Sequence, residues 1–299
     1  MMANNGISRR DFVKGAAALG LAGLIRIPAH AAADAYPIGC YTRPWDKYDY
    51  LTALDAIAEA GFEYAGIMTA KGKSWVIITP ETPVEEAAKI GEEVKKRGLK
   101  ALSVYGDFSV AESVEKGVQA LRRVIENCAA CGSPNLLLGG IGEEKLYQAY
   151  YKAIAECCAY AAEKRVGLSV KPHGGLNATG PQCRKAIERV NHKNFGLWYD
   201  PGNIFYYSDG KLDPVDDAAT VDGLVVGMSV KDFRLPKEVM VTPGTGMVNF
   251  AKVLARLQQG GFTGGPLVVE CLEAGDRAKV TAEAKKALLF LRELTGQKK

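Results

Sequence analysis

Four charged residues stand at or just past the ends of short apolar runs: Lys171 after Gly167–Val170, Asp200 after Gly196–Tyr199, Lys231 just past Leu224–Ser229, and Glu270 after Pro266–Val269. Carboxylates and ammonium groups in one pocket suit acid–base chemistry, because each shifts the proton affinity of its neighbours. Further polar and aromatic residues share such positions: Tyr41, Arg43 and Trp45 after the first run, Tyr105 and Asp107 after the third, His173 beside Lys171, Asn203 beside Asp200, and Asp232 beside Lys231. At any one position a charge could equally cap a helix or close an ion pair. Packing alone is a much weaker explanation for four that converge. Tyr41, Trp45, Tyr206 and Tyr207 offer rings that stack on sugar faces, and Arg43 suits hydroxyls or carboxylates, so a small carbohydrate is the expected ligand. Plain loop packing is the competing explanation for these five.

These positions matter because of the elements around them. Short apolar runs at Ile38–Tyr41, Tyr64–Met68, Ala101–Tyr105, Asn135–Leu138, Gly167–Val170, Gly196–Tyr199, Leu224–Ser229 and Pro266–Val269 predict eight strands. Amphipathic segments lie between them. From Glu143 to Glu163, Leu146, Tyr150, Ile154, Cys157 and Ala161 share one helical face; from Ala111 to Cys131, Val114, Val118, Leu121, Ile125 and Cys128 do the same, and Gly132 follows as a helix terminator. The alternation predicts an α/β fold, a single (β/α)8 TIM barrel, whose functional residues gather where the strands end. A doubly wound open sheet is the alternative, but Gly39 is followed by Cys40 and Tyr41 rather than by a glycine-rich dinucleotide turn.

The first residues read as an address. Ser8-Arg9-Arg10-Asp11-Phe12-Val13-Lys14 precedes an apolar stretch from Gly15 to Ile25 and the small-residue pattern Ala29-His30-Ala31. Charged start, apolar middle and A-x-A end make an export signal, here close to the twin-arginine type that carries folded proteins. The apolar stretch is shorter than the ~20 residues of a spanning helix. We expect a signal at 1–31, a barrel domain at 32–299, and a periplasmic or otherwise extracytoplasmic location with no membrane attachment after cleavage. The formal net charge of +4, much of it from the signal, argues against a nucleic-acid partner. The seven cysteines form no disulfide pattern.

Trp198-Tyr199-Asp200-Pro201-Gly202-Asn203, Val230-Lys231-Asp232, the stretch from Pro243 to Phe250 and Val268-Val269-Glu270 resemble the xylose-isomerase-like TIM barrels of sugar isomerases and epimerases. The resemblance runs from about Pro37 to Leu291. It implies one divalent metal (manganese, magnesium or zinc) held by Glu, Asp, His and Glu at four strand ends. Here those positions carry Lys171, Asp200, Ser229 and Glu270. An ammonium repels a divalent ion and cannot ligate while protonated. We therefore expect no metal cofactor; Asp200, Glu270 and His173 are the residues that would hold one. Lys171 would supply the missing positive charge, Glu270 would act as general base, Asp200 as its partner and His173 as acid or polariser. Tyr41, Arg43, Trp45, Asn203, Lys231 and Asp232 would bind substrate. A Schiff base on Lys171 is a sharper variant.

The expected function is proton abstraction next to a carbohydrate carbonyl, with a lyase or hydrolase acting on oxidised (keto) sugars or glycosides, or a non-catalytic sugar-binding barrel, as alternatives. A homo-oligomer is left open. The family's DNA-repair branch is disfavoured, because its multi-zinc site needs more histidines. Lesser signals read as structure: Cys128-Ala129-Ala130-Cys131 as core at a helix end, Gly139–Gly142 as a turn, and Pro243–Gly246 as either a turn or an anion contact.

Overall fold

The computed structural model describes residues 36–298; the export signal lies outside the described residues. Eight strands, β1 (Ile38–Tyr41), β2 (Tyr64–Ile67), β3 (Lys100–Gly106), β4 (Asn135–Leu138), β5 (Gly167–Val170), β6 (Phe195–Tyr199), β7 (Val225–Val230) and β8 (Leu267–Val269), pair in parallel in chain order and close into a barrel. Ile38 opposite Leu267 and Cys40 opposite Val269 make the closure. This is the (β/α)8 barrel, not an open sheet.

The longer helices α1 (Tyr50–Glu59), α2 (Val84–Lys96), α3 (Val114–Ala130), α4 (Glu144–Glu163) and α5 (Gly180–Val190) cover the strands, followed by short α6 (Pro201–Tyr207) and α7 (Pro214–Ala218), then α8 (Phe250–Gln259) and α9 (Arg277–Thr295). Helix α3 starts later than its apolar periodicity, because Ser113 accepts a hydrogen bond from the Lys116 N–H at 3.2 Å and caps it. Gly132, at φ 79°, turns the chain out of that helix into β4.

Two apolar layers result. One lies between strands and helices. The other fills the barrel with Tyr41, Met68, Leu102, Leu137, Trp198 and Val268. Below it Asn135 bridges Ser103 at 2.9 Å and Ser169 at 3.0 Å, so these three polar side chains inside the barrel satisfy one another. The large rings fit because their neighbours are glycines: a Cβ on Gly66 would strike the Tyr41 ring, and one on Gly227 would strike Trp198. Two expectations fail here. Tyr41 belongs to the interior layer, because its place in β1 turns its side chain into the barrel. Trp45 sits in a 3-10 turn (Arg43–Trp45) that points it outward into the strand–helix core. Neither lines the pocket.

Candidate active site

The strand ends bring four charges together, all of them buried. Lys171 follows β5, Asp200 follows β6, Lys231 follows β7 and Glu270 follows β8, so each side chain rises from a fixed ladder position. The Lys171 Nζ donates to both Glu270 oxygens, at 2.7 and 2.6 Å, and to Asp200 Oδ2 at 3.3 Å. The Lys231 Nζ lies 2.6 Å from Glu270 Oε1 and 3.2 Å from Asp200 Oδ2. Ser229, inside β7, donates to Glu270 Oε2 at 2.7 Å. Asp200 also performs the plain role open to it: its Oδ1 accepts the Asn203 N–H at 2.9 Å and caps α6. Asn203 in turn accepts from Lys231 at 3.0 Å and donates to the Pro172 carbonyl at 2.6 Å, tying β7 to β5.

The cluster's protonation follows from its geometry. Burial alone would raise the Glu270 carboxyl, but the Lys171 and Lys231 ammoniums outweigh it and hold the group well below the usual carboxylate range. Burial raises Asp200, with the two lysines partly offsetting it. Burial would lower Lys231, and Asp200 and Glu270 instead hold it above its ordinary value. Lys171 is pushed down, by burial and by Lys231. The two lysines therefore differ: the carboxylates hold Lys231 above its ordinary value, while burial and Lys231 push Lys171 below its own.

Above the cluster lies a cavity of about 200 Å³ lined by Arg43, Met68, Thr69, Trp75, Tyr105, Lys171, His173, Asn203, Tyr206, Tyr207, Lys231, Val239 and Glu270. That is smaller than the ~300–1,000 Å³ of drug-sized sites and suits a monosaccharide. His173 stands near Tyr105 and Tyr207, with ring centroids 6.3 and 6.1 Å away. Burial, Lys171 and Lys231 push its imidazolium down to about 3, so near neutral pH it is an uncharged donor or acceptor.

Of the expected site residues, Lys171, His173, Asp200, Asn203, Lys231 and Glu270 meet here, with Arg43 and the two α6 tyrosines on the wall. Asp232 does not face the ligand. It is fully buried and accepts from the N–H groups of Phe233 (2.8 Å), Val248 (3.0 Å), Gly244 (3.0 Å) and Gly246 (2.8 Å), which shapes the loop before α8. Those glycine N–H groups are consequently spent on Asp232, and the Pro243–Gly246 segment is a structural turn. The Gly139–Gly142 loop is likewise structural: Asn177 staples its Gly139 carbonyl and the Lys171 carbonyl, both at 2.8 Å. Sequence reasoning missed Met68, Thr69, Trp75 and Val239. Met68 and Thr69 do follow β2, but Trp75 and Val239 lie on irregular segments with no periodicity to announce them.

The residues present do not fit a divalent metal. Asp200 and Glu270 are the carboxylates at the ligand positions, and both are already paired with ammonium groups. Among the described residues no three His, Cys, Asp or Glu side chains are grouped to hold a metal ion.

Residues 54–294 match the xylose isomerase-like TIM barrel family, and residues 6–25 match the twin-arginine translocation signal sequence. The chain belongs to that barrel family and carries a twin-arginine export signal, which directs it to the periplasm. No helix among the described residues is long and apolar enough to cross a membrane. Among solved structures, it is similar to a xylose isomerase domain protein from Planctomyces limnophilus (19% identity, 87% of this chain and 97% of that one, TM-score 0.66). It is also similar to a D-psicose 3-epimerase with D-tagatose from Clostridium cellulolyticum H10 (13%, 87% and 99%, TM-score 0.70). A third is a xylose isomerase-like TIM barrel protein from Mycobacterium smegmatis in complex with magnesium (16%, 88% and 99%, TM-score 0.70). A search of curated proteins gives no match.

Proposed function

We propose that this protein is an isomerase- or epimerase-type enzyme that moves a proton next to a carbohydrate carbonyl, with the Lys171 ammonium in place of a divalent metal. The observation that carries the reading is the position of Lys171 Nζ, within 3.3 Å of both strand-end carboxylates and on the cavity wall. An entering carbonyl oxygen takes a hydrogen bond from Lys171, which stabilises the oxyanion that develops as the neighbouring C–H proton leaves. The same exchange removes a hydrogen bond from Glu270, which raises its basicity and frees one lone pair to accept that proton, while Lys231 and Ser229 still hold the carboxylate. Lys231, held charged by Asp200 and Glu270, partly offsets the burial of Asp200 and keeps the cluster in place. His173, uncharged, offers a hydrogen bond to a substrate hydroxyl. The epimerase activity named for a similar structure is of the same chemical type.

Exchange of substrate C–H for deuterium in heavy water, across a panel of ketoses and keto-glycosides, tests this. Exchange that survives a chelator and falls about 10²–10³-fold in Lys171→Met is the expected result. One tightly bound divalent ion per purified chain overturns the role of Lys171. Binding without exchange for every ligand overturns catalysis and leaves a sugar-binding barrel.

A further inference from the structure

The four-group cluster is neutral as a whole: two ammoniums face two carboxylates. The remaining charge on the cavity wall is Arg43, which feels the Glu270, Asp46 and Asp200 carboxylates through space but makes no salt bridge with any of them. Its guanidinium forms no ion pair among the described residues, and its one hydrogen-bonded side-chain nitrogen, Nη1, reaches only neutral sulfur, the Cys271 thiol and the Met240 thioether (3.9 Å). Sulfur is a weak acceptor, and a guanidinium carries five N–H donors in a planar fork that matches a carboxylate. The other nearby acids are engaged elsewhere. Asp46 accepts from the Trp75 indole at 3.4 Å, and Asp107 accepts the Phe108 N–H at 2.8 Å and does not line the cavity.

We infer that the site takes an anionic sugar, one whose carboxylate is received by Arg43 and whose carbonyl is held by Lys171, both on the wall of the same cavity. The inference rests on the proposed proton-transfer reading for the place of the carbonyl. A carboxylate fits better than a phosphate. One unpaired cation matches one negative charge, and the loop N–H groups that could cradle a dianion, those of Gly244 and Gly246, are bound to Asp232. Tyr206 and Tyr207, on the same cavity wall, supply faces for the sugar ring.

Matched pairs test it: D-fructose against D-fructuronate and D-tagatose against D-tagaturonate, each measured by titration calorimetry and by deuterium exchange in the intact protein. The uronates should bind at least ~10-fold more tightly. Arg43→Met should weaken uronate binding on the order of 100-fold, at least ~10-fold more than it weakens binding of the matched neutral sugar, and Arg43→Lys should fall between. Equal affinities within a pair, or equal losses for both members in Arg43→Met, overturn the carboxylate assignment even if exchange proceeds. Exchange absent from every ligand, with an Arg43-dependent preference for uronates intact, instead overturns the catalytic reading and leaves the carboxylate assignment standing. If Arg43→Met does not fold, the wild-type comparison within each pair decides.

Discussion

Lys171, Lys231, Asp200 and Glu270 hold one another in a protonation pattern that no single one would adopt when buried alone. Burying an ion costs several kcal/mol, and only near-complete pairing offsets it. His173 takes the other course and stays neutral, and that choice has a measurable pH signature. Its native proton affinity, near 3, lies below the ordinary histidine value of 6.5. Between those values the unfolded chain binds a proton that the folded one does not, so stability falls as pH drops through this window. His173→Gln should remove that part of the fall. Urea denaturation at pH 7 and 4.5 should show the wild type losing about 2 kcal/mol more than the variant. Equal losses would mean the imidazole is solvated. The identities of these charged residues were legible because each stands at the end of an apolar run. Their neighbours were harder to assign. Lys231 and Asp232 are adjacent in the chain, yet one faces the cavity and the other faces away into a loop, and composition does not state the pleat.

Elements explain why the strands could be read while parts of the cavity wall could not. Each strand is a short run with most of its residues buried, and each long helix repeats its apolar face, so both leave traces in the sequence. Small departures at the ends have local causes, such as the Ser113 cap on α3. Trp45 was misplaced because a short 3-10 turn, with no period to betray it, rotates that ring away from the strand end. Trp75 and Val239 reach the cavity from irregular loops for the same reason. The loop before α8 is irregular too, but it is fixed by Asp232. Asp232→Asn replaces an all-acceptor group with one that presents an N–H to other N–H groups. The expected cost is about 2–3 kcal/mol, with proteolytic cleavage between residues 243 and 250 accelerated relative to the rest of the chain. Unchanged proteolysis there would show that the loop holds without its carboxylate.

On the scale of the whole molecule, the barrel and its address fit one another. Twin-arginine export carries proteins that are already folded, and this fold buries all seven cysteines as free thiols, with burial raising their proton affinity. A thiol that is neither ionised nor reachable resists oxidation. A chromogenic disulfide reagent should therefore find almost no reactive thiol in the native protein and seven after denaturation. Early reaction of one or two would reveal local opening around them.

The ammonium between Glu270 and Asp200 has a consequence for the protein's life after export. A metalloenzyme that folds before it crosses a membrane must be charged with the right ion in one compartment and keep it in another, where competitors and scavengers differ. Here the central cation is covalently part of the chain. It is installed at translation and cannot be exchanged for a wrong ion, so under the proposed reading the centre needs no metal supply on either side of the membrane.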